Sequence, residues 1–382
     1  MNINEKFNFN FPTQIRFGVG VIGELADYLK SNGIKNPLLV TDPLVRELNL
    51  FKKITSDLKR QNISVEVFSE VHKNPIKSDV LAGKECYQVT GRDAILGIGG
   101  GVALDVARAI ALSINHHRDL FDYDDLIGGD KYVTEPIPHF VTIPTTAGTG
   151  SEVGRSAIIS EDETKKKRIL FAPSLMAKMV FADPRLTMDL PPFVTAATGM
   201  DALTHNMEAY LSKNWHPMCS GIALEGIRLI GESLQTATLQ PDLPSRSRML
   251  MASMMGAIAF QKGLGIVHSL AHPLSSLLDT HHGLANAINL PYGLEFNYED
   301  NEDSFDQMGL VLGFNKGEGK KVLSYISELN VRLGLPIRLS DIGVKDGHIA
   351  TLSALAIADF CHPNNPKPVS ETDFERLYRA AL

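Results

Sequence analysis

Four residues in the second half of the chain have the side chains and spacing of a metal site. Asp201 and His205 lie four residues apart in TGMDALTHNMEAYL, which places both side chains on one face of a helix. His268 follows in GLGIVHSLAHPL, and His282 directly precedes Gly283. One carboxylate and three imidazoles suit Fe(II) or Zn(II) without a thiolate. An Asp–His pair at this spacing is more often merely solvated, so the prediction of a metal site depends on the rest of the chain.

The first half contains a glycine turn of the kind that binds phosphate. Gly99, Gly100 and Gly101 follow a predicted strand and precede a predicted helix. Such glycines let the backbone approach an anion, and a helix N-terminus offers free N–H groups. The usual pattern G-x-G-x-x-G fails because Val102 stands at the third glycine position, and no Walker pattern is present. The turn by itself therefore indicates either a nucleotide site or a tight connection between strand and helix.

A second loop, IPTTAGTGSEV, is rich in small polar residues and also follows a predicted strand. Its threonines, Thr145, Thr146 and Thr149, suit a diphosphate or a ribose at the carboxyl end of a sheet, although such a loop also packs well beneath a helix. Asp42 ends the predicted strand NPLLVTD, where a carboxylate accepts hydrogen bonds from ribose hydroxyls and repels a 2′-phosphate. This position favours NAD over NADP. It equally suits the N-cap of a helix that begins at Pro43.

The composition is that of a globular protein with two domains. The chain has 382 residues, of which 44% are hydrophobic and 21% charged. The net charge of −7 is spread without long runs, so neither nucleic acid nor an anionic membrane is an expected partner. The basic run from Lys165 to Arg168 follows three acidic residues and is interpreted as a solvated hairpin turn.

Cysteine use and hydropathy predict a cytoplasmic protein. Cys86, Cys219 and Cys361 are scattered without a CxxC spacing, which is typical of reduced thiols. The N-terminal sequence has neither the basic nor the apolar region of a secretory signal. No apolar stretch reaches the roughly 18 residues of a membrane span.

Two patterns of secondary structure divide the chain near residues 184–192. Before this point, β-rich runs alternate with helical stretches, with strands predicted at 36–42, 63–69, 93–101, 139–146 and 178–184. Such alternation predicts a parallel sheet covered by helices on both faces. Beyond it, helical patterns dominate, at 194–212, 221–236, 245–260, 285–296 and 319–333. We therefore predict an α/β, Rossmann-like dinucleotide-binding domain over residues 1–185 and an all-helical metal-binding and catalytic domain over residues 186–382.

Together these motifs resemble the iron-containing (group III) alcohol dehydrogenase family. The similarity extends over nearly the whole chain, from FGVGVIGEL through VTD, GGG, IPTTAGTGSEV, ADP, TGMDALTH and GLGIVHSLAHPL to HHGLANAINLP. The resemblance implies a Rossmann-like N-terminal domain, a helical C-terminal domain and an active site in the cleft between them. Dehydroquinate synthase shares this architecture.

The resemblance also implies roles for individual residues. It implies metal ligands at Asp201, His205, His268 and His282. It implies cofactor contacts at Asp42, Gly99, Gly100, Gly101, Thr145, Thr146 and Thr149. His272 resembles the family histidine beside the nicotinamide that is linked to proton relay, whereas spacing alone would pair it with His268 as a ligand. Val102 and Arg108 replace a serine and a lysine common in relatives, so we expect weaker or altered cofactor binding.

The predicted activity is a metal- and NAD-dependent interconversion of a small alcohol and its aldehyde. The metal, Fe(II), Zn(II) or another divalent ion, would act as a Lewis acid, NAD would accept the hydride, and His272 would pass the proton to solvent. Arg155 and Lys262 either lie at the surface or form a pocket for an anionic semialdehyde that is reduced to an ω-hydroxy acid.

Three other functions are each compatible with part of the sequence. A zinc-dependent glycerol-type dehydrogenase matches fewer motifs, and a dehydroquinate-synthase-like lyase requires a denser basic pocket. A non-catalytic module with a structural metal would not need Asp42, the glycine turn and His272 together. A homo-oligomer, by default a dimer, is expected.

Overall fold

The computed structural model describes residue 11 and residues 13–382. These residues form two compact units, each with its own internal packing. The sheet unit comprises residues 13–146 and 151–188, and the helical unit comprises residues 11, 147–150 and 189–382. The loop 147–150 therefore belongs to the helical unit, although it lies within the sequence of the predicted dinucleotide-binding half.

The sheet unit is built around a six-stranded parallel sheet, which confirms the predicted fold class. Its strands are β1 (Gln14–Phe17), β2 (Pro37–Val40), β3 (Glu66–Phe68), β4 (Ala94–Gly99), β5 (His139–Pro144) and β8 (Met179–Ala182). Their spatial order is β1-β8-β5-β4-β2-β3. Sequence analysis missed β1, because its four residues, QIRF, alternate between exposed and partly buried positions at the edge of the sheet and carry little hydrophobic signal.

Helices cover both faces of this sheet, as its buried strands require. They are α1 (Leu25–Ser31), α2 (Pro43–Glu47), α3 (Asn49–Arg60), α4 (Lys77–Val89) and α5 (Gly101–Asn115). Successive residues of a strand point to opposite faces, so Leu38 and Val40 belong to one hydrophobic core and Leu39 to the other. Helices α2 and α3 are separate, because the backbone is extended at Leu48 between them.

A two-stranded antiparallel hairpin packs beside the sheet, formed by β6 (Ser156–Ser160) and β7 (Lys167–Phe171). Lys165 lies in its turn in a left-handed conformation, as predicted for a solvated turn. The prediction is wrong for Arg168, which lies on β7 and forms ion pairs with the buried Asp124 at 3.0 Å and with Glu161 at 2.7 Å. Because Arg168 lies on a strand and pairs with two acidic residues, its side chain is held against the protein.

The helical unit contains nine α-helices in the part of the chain that the structure describes. They are α6 (Pro192–Leu211), α7 (Pro217–Leu239), α8 (Leu243–Ala259), α9 (Ile266–Leu278), α10 (His282–Tyr298), α11 (Glu302–Val311), α12 (Lys321–Arg332), α13 (Ile349–Ile357) and α14 (Glu371–Ala381). Helix α6 packs against α7, α8 and α10, and almost all of its residues from Thr195 to Leu211 are buried. A helix that is buried on all sides needs no polar face, so its polar residues have another purpose.

Sequence analysis did not assign a helix to α9. Pro273 lies inside it and removes one backbone donor, which is a signal that normally ends a helix. Packing of its buried residues from Ile266 to Ser275 compensates for this interruption.

Within residues 11 and 13–382, no individual helix has both the length and the apolar character needed to cross a membrane. One strongly bent pair of helical segments, Leu243–Lys262 and Ile266–Leu278, reaches the threshold when the two are taken together.

Candidate active site

In the sheet unit, Asp42 and the glycine turn meet at the carboxyl ends of adjacent strands. Asp42 follows β2, and Gly99 ends β4, which pairs with β2 in parallel. The strand order reverses here, because β3 lies on the other side of β2, and such switch points form the ligand crevices of parallel sheets. Asp42 Oδ1 accepts hydrogen bonds from the backbone of Leu44 and Val45, each at 2.9 Å. The cap of α2 thus uses only Oδ1 of Asp42. The other oxygen, Oδ2, lies toward Gly99, and a Cβ on Gly99 would be 3.3 Å from it.

The backbone of the glycine turn lies so close to neighbouring side chains that a Cβ would be crowded at Gly99 and Gly100. Gly99 has φ +151°, and a Cβ there would lie 2.8 Å from the Cβ of Ala103. A Cβ on Gly100 would lie 3.2 Å from Oγ1 of Thr146, and the amide of Thr145 donates to the carbonyl of Gly99 at 3.0 Å. The structure therefore brings the turn, Thr145, Thr146 and the N-terminus of α5 together.

This cradle fits a dinucleotide. The first N–H groups of α5 have no partner within the helix, and an anion binds favourably to such groups. Oγ1 of Thr145 is buried without a hydrogen-bond partner among the described residues. A phosphate or a ribose hydroxyl would satisfy these donors. Thr149, in contrast, lies in the helical unit, where Gly150 packs so closely on α8 that a Cβ would lie 2.4 Å from that of Ala257.

Arg108 lies inside the sheet unit. It is fully buried, and its guanidinium group donates to Asp105 at 3.1 Å, to Oγ of Ser151 at 3.0 Å and to the carbonyl of Ser156 at 2.7 Å. These bonds fix the segment that leads to β6. The weaker or altered cofactor binding expected from Arg108 remains a prediction.

The four predicted metal ligands converge inside the helical unit. Asp201 and His205 lie on α6, His268 on α9 and His282 on α10, and their donor atoms all lie within 4.8 Å of one another. Gly283 makes this approach of α10 to α6 feasible, because a Cβ there would lie 2.3 Å from the carbonyl oxygen of Ala197 and 3.2 Å from Cβ of Asp201.

Two further polar side chains organise this cluster. The carboxylate of Glu208 accepts a hydrogen bond from Nδ1 of His268 at 2.5 Å and from the backbone N–H groups of Val267 and His268 at 2.6 and 3.3 Å. Nδ1 of His268 therefore carries the proton, and Nε2 is left as the donor to a metal. Asn286 donates to Asp201 at 2.7 Å.

The pKa shifts of Asp201 and His205 suit a divalent cation. Burial would raise the pKa of Asp201, but the three imidazoles hold that pKa at about 2, so the carboxylate is ionised. Burial lowers the pKa of His205 to about 4, which keeps this imidazole neutral at pH 7. Burial also acts to lower the pKa of His268, but the hydrogen bond and charge of Glu208 outweigh it and raise this pKa.

The hydrogen bonds of Asn286 provide a test of whether a metal fits. Its amide nitrogen lies 2.7 Å from Asp201, 3.3 Å from Nε2 of His268 and 3.2 Å from Nε2 of His282. The ionised Asp201 and Nε2 of His268 share the amide N–H groups of Asn286, and the amide oxygen of Asn286 is itself buried without a partner among the described residues. The cluster thus has surplus acceptors, which a cation would satisfy.

His272 lies beside this cluster and not within it. Its Nδ1 is 2.7 Å from Oδ2 of Asp359, and its ring stacks on that of His282 with centroids 5.4 Å apart. The four-donor group does not include His272, so the pairing of His268 with His272 as ligands, which spacing alone suggests, is not favoured by the geometry.

The two predicted substrate cations lie in different units. Arg155 is half-buried in the sheet unit, and its guanidinium group lies 5.6 Å from the centre of the Phe171 ring. Lys262 is buried in the helical unit, where its ammonium group donates to the carbonyl of Tyr210 at 2.7 Å. Burial lowers the pKa of Lys262 to about 8, and no carboxylate of the described residues offsets it. Lys262 is therefore not exposed at the surface.

Sequence analysis missed three residues of this site, namely Glu208, Asn286 and Asp359. Two carry a local signal: Glu208 lies three residues after His205, and Asn286 lies four residues after His282, so each shares a helix face with a predicted ligand. Asp359 lies 87 residues after His272, and no spacing rule connects them.

Comparison with known proteins agrees with this geometry. Residues 12–184 match the family described as iron-containing alcohol dehydrogenase, and residues 195–382 match the C-terminal part of the Fe-containing alcohol dehydrogenase family. The chain is 35% identical to 4-hydroxybutyrate dehydrogenase of Cupriavidus necator over 97% of this chain and 99% of that protein.

Two solved structures share the fold over essentially their whole length. The crystal structure of 1,3-propanediol oxidoreductase has a TM-score of 0.94 at 32% identity and covers 99% of this chain and 100% of its own. Sulfoacetaldehyde reductase from Bifidobacterium kashiwanohense, in complex with NAD+, has a TM-score of 0.88 at 25% identity and covers 99% of both chains. The chain belongs to the iron-containing alcohol dehydrogenase family. It is accordingly an oxidoreductase of the alcohol dehydrogenase class.

Proposed function

We propose that this protein interconverts a small alcohol and its aldehyde by hydride transfer to and from NAD, with a divalent metal in the helical unit. The observation that carries the proposal is the convergence of one ionised carboxylate and three imidazoles inside the helical unit, within 4.8 Å of one another. Membership of the iron-containing alcohol dehydrogenase family supports a role for these donors in holding the metal.

The metal would be held by Asp201, His205, His268 and His282, and NAD by the cradle in the sheet unit. When bound, the metal stabilises negative charge on the substrate oxygen, and NAD accepts or returns the hydride. Glu208 keeps His268 in the tautomer that offers Nε2. The free oxygen of Asp42 suits a ribose hydroxyl, which supports NAD over NADP. Thr149 remains a proposed cofactor contact.

His272 is the proposed proton carrier. It lies against the ring of His282, next to the donor cluster, and an imidazole exchanges protons readily near neutral pH. In alcohol oxidation it would accept the hydroxyl proton, and in aldehyde reduction it would return one.

For the substrate we propose a short aldehyde with an anionic end, reduced to an ω-hydroxy acid. Lys262 supports this proposal, because a buried ammonium group without a carboxylate partner is stabilised by an incoming anion. One relative is a 4-hydroxybutyrate dehydrogenase and one structural neighbour is a sulfoacetaldehyde reductase, so both are named for compounds with a terminal anion. Arg155 is a second proposed contact.

A neutral alcohol is the second candidate. The ammonium group of Lys262 already donates to the carbonyl of Tyr210, and a structural neighbour is a 1,3-propanediol oxidoreductase. If Lys262 serves only to bind the carbonyl of Tyr210, the enzyme would not prefer a charged aldehyde over a neutral one.

The test compares 4-oxobutanoate with butanal, which differ only in the terminal carboxylate. Protein loaded anaerobically with Fe(II), and separately with Zn(II), should oxidise NADH faster with the carboxylated aldehyde. Lys262→Met should raise KM for 4-oxobutanoate by about tenfold or more, because a charge-assisted hydrogen bond contributes about 1.5–3 kcal/mol, and should leave butanal unaffected. Lys213→Met, at an exposed lysine of the same unit, is the matched control.

An equal effect of Lys262→Met on both aldehydes would discard the anion pocket and favour the neutral substrate. Failure to reduce any aldehyde, despite bound metal and bound NADH, would contradict the proposed reaction.

A further inference from the structure

The carboxylate of Asp359 is surrounded by hydrogen-bond donors on one side of the donor cluster. Its Oδ2 lies 2.7 Å from Nδ1 of His272. Its Oδ1 accepts from Oγ of Ser269 at 2.6 Å and from the backbone N–H of Cys361 at 2.9 Å. Ser269 is fixed in turn, because its Oγ accepts from the backbone N–H of His362 at 2.9 Å. The orientation of this carboxylate is thus determined by groups from two separate segments of the chain.

The three hydrogen-bond donors around Asp359 favour the ionised form of its carboxylate. Burial would raise the pKa of Asp359, but the charge of His272 and the hydrogen bonds from His272, Ser269 and Cys361 hold it well below the ordinary range. An ionised carboxylate only accepts hydrogen bonds, so Nδ1 of His272 must be the donor. In the neutral imidazole the lone pair then lies on Nε2.

The ring of His272 is held on both of its other sides. It stacks on His282 with an angle of 18° between the rings, and Phe360 packs against it at 5.5 Å with an angle of 31°. These contacts restrict rotation of the ring. Asp359 then decides which nitrogen carries the proton.

We propose that Asp359 is a positioning residue that keeps His272 protonated on Nδ1, so that Nε2 exchanges the substrate proton. This inference rests on the proposed role of His272. In the oxidation direction the alcohol O–H bond breaks and an Nε2–H bond forms. The resulting imidazolium keeps its Nδ1–H bond to Asp359 and later releases the Nε2 proton to water. In aldehyde reduction the same proton moves in the opposite direction.

A second metal site is the competing explanation, because His272, Asp359 and Cys361 each offer a donor atom within 4.8 Å of the others. The hydrogen bonds argue against it. A metal would have to displace the bonds of Asp359 to His272, Ser269 and the Cys361 amide, and burial raises the pKa of the Cys361 thiol well above its usual value. A metal would also have to displace the proton of this thiol, because only the thiolate is a ligand.

Asp359→Asn tests the inference, because it keeps the shape and changes the hydrogen bond. With its oxygen retained toward Ser269 and Cys361, the amide N–H2 faces His272 and requires Nδ1 to accept, which leaves the proton on Nε2. We expect kcat to fall by about 10²-fold or more in both directions, the range that general acid–base catalysis contributes. KM, NADH affinity, bound metal and Tm should stay at wild-type values. Nitrogen-15 NMR of the zinc-loaded variants should show the changed tautomer.

Two further variants separate this inference from the proposed function. His272→Ala should lose as much activity as Asp359→Asn, and added imidazole should restore His272→Ala but not Asp359→Asn, where the wrong tautomer still occupies the site. Asp306→Asn, which removes a carboxylate that binds two backbone amides in the same unit, should keep wild-type kcat.

Three outcomes would overturn the inference. Wild-type kcat in Asp359→Asn, with a loss in His272→Ala, would refute the positioning role and leave the proton carrier intact. Wild-type activity in His272→Ala would refute the proposed carrier itself. A second equivalent of zinc that inhibits the wild-type enzyme and is lost in both Asp359→Asn and Cys361→Ser would replace the inference by a metal site.

Discussion

At the scale of single residues, the site depends on carboxylates that hold imidazoles. Glu208 holds His268 and Asp359 holds His272, and both are buried deeply enough for their hydrogen bonds to be specific. Such carboxylate–histidine pairs orient the ring and determine which nitrogen carries the proton. The two pairs serve different ends, because His268 belongs to the donor cluster and His272 lies beside it.

Glu208→Gln should weaken metal retention without removing a ligand. Glutamine cannot accept from Nδ1 of His268 and from two backbone amides with the same strength, so metal affinity should fall by about 10–100-fold. Competition with a fluorescent chelator measures this directly and needs no assay of turnover. Glu225→Gln, on the exposed surface of α7, provides the control. Unchanged metal affinity in Glu208→Gln would exclude Glu208 from the metal site.

At the scale of elements, the short 3-10 helix Ser151–Val153 contains a buried carboxylic acid, Glu152. Glu152 is 2% exposed, and its Oε1 has no partner among the described residues. Burial raises the pKa of Glu152 from 4.5 to about 7, although Arg108 acts to lower it. Between about pH 4.5 and pH 7, Glu152 therefore keeps its proton in the folded protein and loses it in the unfolded chain.

This shift predicts a pH dependence of stability with a defined sign. Between about pH 4.5 and pH 7 the folded state binds more protons, so the free energy of unfolding should fall as pH rises through this window. Glu152→Gln should abolish this contribution and stabilise the protein above pH 7 by on the order of 3 kcal/mol. Urea unfolding at pH 5 and pH 8 measures the difference. Glu163→Gln, at an exposed position nearby, should behave as the wild type. If the free energy of unfolding of Glu152→Gln changes with pH as much as that of the wild type, Glu152 is not the cause of this pH dependence.

At the scale of the whole molecule, the two units carry different groups of the predicted functional residues. The sheet unit carries the proposed cofactor cradle, and the helical unit carries all four donors of the cluster. The donors come from α6, α9 and α10, so a bound metal links three helices that are far apart in the sequence.

Metal removal should therefore destabilise one unit selectively. A ligand present at 100 times its Kd stabilises the folded state by about 2.7 kcal/mol, and this contribution is lost on chelation. Hydrogen exchange should show faster exchange in α6, α9 and α10 after chelation, with the sheet unit unchanged. Addition of NAD should protect residues near Asp42 and Gly99 instead. Equal loss of protection in both units would contradict this division.

Much of this protein was predictable from local sequence, because local geometry repeats with a fixed period. Helical spacing placed Asp201 and His205 on one face, and the alternation of strands with helices predicted the parallel sheet with Asp42 and Gly99 at strand ends. The assignment of His268 and His282 as ligands came from resemblance to a family, not from spacing.

The tertiary structure alone decided which distant residues meet. Glu208 meets His268 across 60 residues and Asp359 meets His272 across 87, and both contacts depend on how whole helices pack. Packing also placed the loop 147–150 with the helical unit and buried Lys262 and Arg108, two cations that composition would assign to the surface. Sequence periodicity determines the face on which a side chain lies, but the partner of that face is set by the packing of the complete chain.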